Sequence, residues 1–159
     1  MREWSHIVAT EVMMVAEDGL EKPMIVVLDD EQLILELANT SLSDAGYEVV
    51  LVSSGTQAAA IFEGPDGERC RAFITDIHLN SNPVTGWVVA RTARQRFPML
   101  PIVYMTGGQA DEWPSKGVPQ SILLTKPFAP AQLVTAVSQL LNAVPVSAAS
   151  PATPVPPAV

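Results

Sequence analysis

The sequence is poor in several residue types, and each shortage excludes a class of function. It has one cysteine, Cys70, so no intrachain disulfide can form, and there is no Cys/His cluster to hold zinc. Cys70 reads as a small residue entering a strand. Charge is sparse at 16%, with nine basic residues against 17 acidic ones and a net charge of −8. Affinity for a phosphate backbone needs clustered Lys and Arg, so no nucleic-acid partner is expected. Arg91, Arg94 and Arg96 fall on one short helix and read as a solvated face. No apolar run approaches a membrane span and no secretory pattern opens the chain, so the expectation is a cytoplasmic protein with no membrane partner. Neither GxGxxG nor GxxxxGK[ST] occurs, which leaves nucleotide binding of those kinds without support.

What is present is alternation. Apolar runs predict strands at Ile25–Leu28, Glu48–Val52, Ala72–Thr75, Ile102–Met105 and Ile122–Thr125. Helical patterns follow over Glu31–Asp44, Thr56–Phe62, Thr85–Phe97 and Pro130–Asn142, with a weak one near Gln109–Lys116. In the first helix Ile34, Leu37, Ala38, Ser41 and Ala45 form the expected apolar face, and Gly46 stands where a helix stops. Strict strand–helix alternation predicts an α/β fold, a doubly wound parallel sheet with helices on both faces. Residues 1–22 read as a loose extension, although Trp4, Val8, Val12 and Val15 have roughly helical spacing. Residues 143–159 hold five of the fourteen prolines and no charge, and read as a disordered Pro/Ala-rich tail. The domain proper is expected over residues 23–142.

Ligands of open parallel sheets bind beyond the carboxyl ends of the strands. The residues found there are Asp29 and Asp30 after "MIVVL", Asp76 after "AFIT", Thr106 after "PIVYM" and Lys126 after "SILLT". Two carboxylates about 4 Å apart repel by roughly 4 kcal/mol at an effective dielectric near 20, so three need a cation. Hard oxygen ligands at a small open site suit Mg²⁺, which binds through one or two carboxylates plus a phosphate. In such a site Asp76 can attack phosphorus, Lys126 can neutralise charge and Thr106 can bond a phosphoryl oxygen. Gly107 and Gly108 behind it leave room for the group.

The ordered set "LDDE", "TDI", "YMTGG", "TKPF" resembles the receiver domain of two-component response regulators, across about Met24 to Asn142. The resemblance implies a flavodoxin-like sheet of five strands in the order 2-1-3-4-5. It implies Asp76 as phosphoacceptor, Asp30 as a direct Mg²⁺ ligand, Asp29 acting through water and His78 supplying a backbone carbonyl. It also implies a cis peptide from Lys126 to Pro127. The expected partner is a histidine kinase or histidine phosphotransfer protein, and the expected state a monomer or a dimer linked to phosphorylation.

The sequence departs from that pattern twice. Leu123 stands where the family generally has an aromatic, three residues before the lysine. The loop "DIHLNSNPVTGW" reaches Gly86 ten residues after Asp76, about two longer than the common version. The expected function is a stand-alone receiver that signals by protein contact or drains phosphate from a shared kinase, and not an enzyme in the turnover sense. A phosphorylation-independent docking module is an alternative, as is a Mg²⁺-dependent phosphohydrolase. The latter is disfavoured because its nucleophile would lie on the first strand. Trp113, in a segment broken by Pro114, Gly117 and Pro119, is either a moving reporter or a core contact.

Overall fold

The computed structural model describes residues 22–80 and 84–149. The expected extension, apart from Lys22, and the last ten residues of the expected tail lie outside the described residues. Strand β1 (Met24–Leu28) leads to helix α1 (Gln32–Asp44), β2 (Glu48–Val52) and α2 (Gly55–Glu63). After a 3₁₀ turn at Pro65–Arg69 come β3 (Cys70–Asp76), α3 (Gly86–Arg96) and β4 (Ile102–Thr106). A second 3₁₀ turn, Ala110–Glu112, runs into the one-turn α4 (Trp113–Lys116), followed by β5 (Ile122–Thr125) and α5 (Pro130–Ala149). The sheet is parallel in the order β2-β1-β3-β4-β5, as the resemblance implied.

Central β1 is buried along its whole length, because side chains alternate between two cores. Ile25 and Val27 pack with Leu35, Ala38 and Leu42 of α1 and Leu133 and Val137 of α5. Val26 and Leu28 face the other way, toward Ala58 and Phe62 of α2 and Trp87 and Ala90 of α3. With helices covering both faces, the carboxyl ends of the strands remain as an open edge. Ser54 caps α2 by accepting from the Gln57 amide at 3.2 Å, and Thr85 caps α3 by accepting from Val88 at 3.3 Å. Gly46, at φ +100°, turns the chain out of α1 in a conformation that side chains with a Cβ rarely adopt.

Three expectations need correction. The buried stripe of α1 is Leu35, Ala38 and Leu42, with Ile34, Leu37 and Ser41 only partly buried and Ala45 exposed. Helix α5 continues to Ala149, seven residues past its expected end, and the chain from 143 to 149 is helical. Its three alanines are the best helix formers, and they continue the helix although Pro145 removes a backbone donor and crowds the carbonyl four residues back. Nor is the arginine face of α3 simply solvated. Arg94 is partly buried and donates to the Leu100 and Pro119 carbonyls at 2.9 and 2.7 Å, while Arg96 donates to the Glu63 carbonyl at 3.0 Å.

Candidate functional site

Asp29 and Asp30 follow β1 directly, Asp76 and Thr106 are the last residues of β3 and β4, and Lys126 follows β5. Backbone bonds hold these ends in register: the Ile77 amide donates to Met105 at 3.1 Å, and the Lys126 amide to Thr106 at 2.7 Å. Ligand oxygens of Asp29, Asp30 and Asp76 all lie within 4.8 Å of one another. A cavity of about 460 Å³ opens over them, lined by Asp30, Glu31, Asp76, His78, Asn80, Thr106, Gly107, Gly108, Gln109 and Lys126. Asp29 is fully buried behind that wall. His78 is exposed at the rim. The peptide from Lys126 to Pro127 is cis.

The charges are unevenly matched. The Lys126 ammonium donates to Glu31 at 2.7 Å and to Asp29 at 2.9 Å, and sits 3.5 Å from Asp76. Burial alone would lower its affinity for a proton, but the bonds to Glu31 and Asp29 hold its pKa above the usual lysine value. Burial, with Asp29 and Asp30 nearby, pushes the Asp76 carboxyl up to about 6 despite the ammonium. Burial likewise raises Asp29, against the Glu31 amide and the Lys126 ammonium. Asp30 accepts from the Asn80 amide at 2.7 Å through one oxygen. Its other oxygen, Oδ1, is buried with no hydrogen-bond partner. A buried carboxylate oxygen without a donor is costly, and a hard cation would satisfy it. The donor set therefore fits a divalent metal.

Thr106 Oγ1 accepts from the Gly108 and Gln109 amides at 3.2 and 2.8 Å, which leaves its own proton free to be donated. A Cβ added to Gly107 or Gly108 would meet nothing within 4 Å, so this loop borders open space. Gly86 is the opposite case. A Cβ there would overlap the Asp76 carbonyl oxygen, so the start of α3 can pack on the end of β3 only as glycine.

The sequence matches the response regulator receiver domain over residues 25–138. The chain belongs to the response regulator receiver family. Among solved structures, the receiver is similar to a response regulator receiver protein from Sinorhizobium medicae WSM419. The two are 48% identical with a TM-score of 0.73, over 78% of this chain and 98% of that one. It shares the fold of the chemotaxis response regulator CheY4 of Vibrio cholerae, at 24% identity and a TM-score of 0.64, over 75% of this chain and 98% of that one. It is 33% identical over 123 residues to the transcriptional regulatory protein GltR of Pseudomonas aeruginosa, covering 74% of this chain and 48% of that protein. The chain spans half or less of the length of the curated relatives it matches.

Four contributors to the receiver's site have no role in the sequence reading: Glu31, Asn80, Gly86 and Gln109. Glu31 was visible in the acidic run, but nothing local ties it to Lys126. Asn80 acts through its backbone, which no side-chain pattern reveals. Leu123 is partly buried and packs on the same core as Trp87 and Tyr104. Trp113 is a partly buried core contact, its indole donating to the Ser121 hydroxyl at 3.0 Å. Residues 81–83 of the lengthened loop lie outside the described residues. Among those described, no helix is long and apolar enough to cross a membrane.

Proposed function

We propose that this receiver takes a phosphoryl group onto Asp76 from the phosphohistidine of a histidine kinase or histidine phosphotransfer protein. The observation that carries this reading is the meeting of Asp30, Asp76, the Lys126 ammonium and the Thr106 hydroxyl at a single open cavity, with Asp29 buried directly behind. At pH 7 a carboxyl with a pKa of about 6 is mostly ionised and can act as the nucleophile. An Asp76 oxygen bonds to phosphorus while the phosphorus–nitrogen bond breaks, and the electron pair leaves with the imidazole. Lys126 neutralises charge on the transferring group, and Thr106 donates its proton to a phosphoryl oxygen. Mg²⁺ would be held by Asp30 through its unpartnered oxygen, by Asp76, by Asp29 through water and by the His78 carbonyl. When bound, it supplies positive charge against the acids and the phosphoryl oxygens.

Water hydrolyses the acyl phosphate in the same site, and the chain turns over no external substrate. The output is contact with another protein, in the cytoplasm. The transcriptional role in the names of longer relatives is not carried over. Intact mass after incubation with acetyl phosphate tests the reading, with and without Mg²⁺, for wild type and Asp76→Asn. A gain of one phosphoryl group that needs both Mg²⁺ and Asp76 is expected. No gain, together with no binding of beryllofluoride, would overturn the reading.

A further inference from the structure

Glu31 occupies the N-cap of α1, a position that favours Ser, Thr, Asp or Asn, yet its side chain makes no capping bond. Asp29 instead accepts from the Glu31 amide at 2.8 Å, closing an Asx turn just before the helix. The Glu31 carboxylate is turned to the strand ends, where it is the closest acceptor of the Lys126 ammonium at 2.7 Å. That bond spans 95 residues of sequence. An ammonium has three protons to donate. Two are engaged at bonding distance by Glu31 and Asp29, and Asp76, at 3.5 Å, has only the loosest hold.

We propose that Glu31 is a positioning residue that holds Lys126 away from Asp76, so that phosphoryl transfer must first exchange the Glu31–Lys126 bond for a contact between Lys126 and the phosphoryl oxygen. The proposal rests on the phosphoacceptor reading. The two partners differ in a way that suits an exchange. Lys126 is 15% exposed and lines the cavity, whereas Glu31 is 58% exposed and regains water when it lets go. Asp29 is fully buried, and before a cation is bound it would be left with an unpaired charge if it let go. Of the two tight bonds, the one to Glu31 is therefore the one that opens.

The test measures the rate of adduct formation with acetyl phosphate at saturating Mg²⁺ for wild type, Glu31→Gln and Glu31→Asp. Glu31→Gln leaves a weaker neutral acceptor, and its rate is expected to rise about three- to fivefold, the scale of an exposed ion pair. Glu31→Asp keeps the charge but shortens the reach by one methylene, and is expected to rise with it. Stability in urea should barely change, which separates positioning from a folding effect. An unchanged or slower rate in Glu31→Gln overturns the proposal. So does a wild-type rate in Glu31→Asp beside a fast Glu31→Gln, because charge alone would then explain the gain. Wild type that forms no adduct and binds no beryllofluoride refutes the phosphoacceptor reading itself, and the proposal falls with it.

Discussion

Replacing Asp76 by Asn should stabilise the metal-free receiver. The Asp76 side chain is 8% exposed and shares its site with Asp29 and Asp30. Its pKa is raised from 3.8 to about 6, so the folded state holds that proton more tightly than the unfolded chain does. The contribution to stability is therefore full below about pH 3.8 and is lost as pH rises through about 6. At pH 7.5 the penalty approaches roughly 3 kcal/mol, at about 1.4 kcal/mol for each tenfold shift in proton affinity. The amide removes that penalty, in which the 3.5 Å pairing with Lys126 is already counted, and the expected gain is about 1–3 kcal/mol. Urea unfolding in EDTA at pH 7.5 and pH 4 measures it. The gain should shrink to about 0.5 kcal/mol at pH 4, where the folded carboxyl is already protonated. Adding Mg²⁺ should close the gap from the other side, because a ligand at 100 times its Kd adds about 2.7 kcal/mol to the state that binds it. An Asp76→Asn variant no more stable than wild type at pH 7.5 without divalent ions would refute the claim that Asp76, buried beside two other acids, is ionised there at a cost.

Two further substitutions probe the scaffold beneath the site. Gly86→Ala would drive a methyl group into the Asp76 carbonyl oxygen and should cost about 3 kcal/mol in urea unfolding; a loss below about 1 kcal/mol would mean that the start of α3 moves aside freely. Tyr104→Phe removes the hydroxyl that accepts from the buried Val118 amide at 3.1 Å, and should cost about 1–3 kcal/mol by the same assay. No loss would show that the amide has found another acceptor.

The sheet was readable because its strands are short Val- and Ile-rich runs between turns, and β2 and β5 match their expected bounds to the residue. The helix faces were harder. In "LILEL" apolar residues fill positions 33, 34, 35 and 37, so several faces fit equally well, and Leu33 ends 78% exposed. The site residues were readable as types because each stands at a strand end in a fixed order. Their pairing was not. Lys126 meets Asp29 and Glu31 across 97 and 95 residues, and Arg94 meets Pro119 across 25. Such contacts exist only once the sheet has brought its edges together, so no window on the sequence contains them.

The leucine at 123 shows how the same principle bears on function. In register, Leu123 of β5 lies beside Tyr104 of β4, and Tyr104 stands two residues before Thr106, hence on the same face of the strand. The bulky ring beneath the Thr106 side of the sheet is thus supplied by β4. It is fully buried against Trp87, with ring centroids 4.8 Å apart. Its hydroxyl accepts from Val118, whose carbonyl accepts from Ser121 at 2.6 Å, and Ser121 in turn accepts from Trp113. One continuous set of bonds joins the strand that carries Thr106 to the segment from Trp113 to Ser121. The Tyr104 ring is out of contact with solvent and its hydroxyl is already bonded. On the phosphoacceptor reading, a shift of Thr106 toward a phosphoryl oxygen would reach that segment through the Tyr104 hydroxyl, since β5 carries no aromatic side chain.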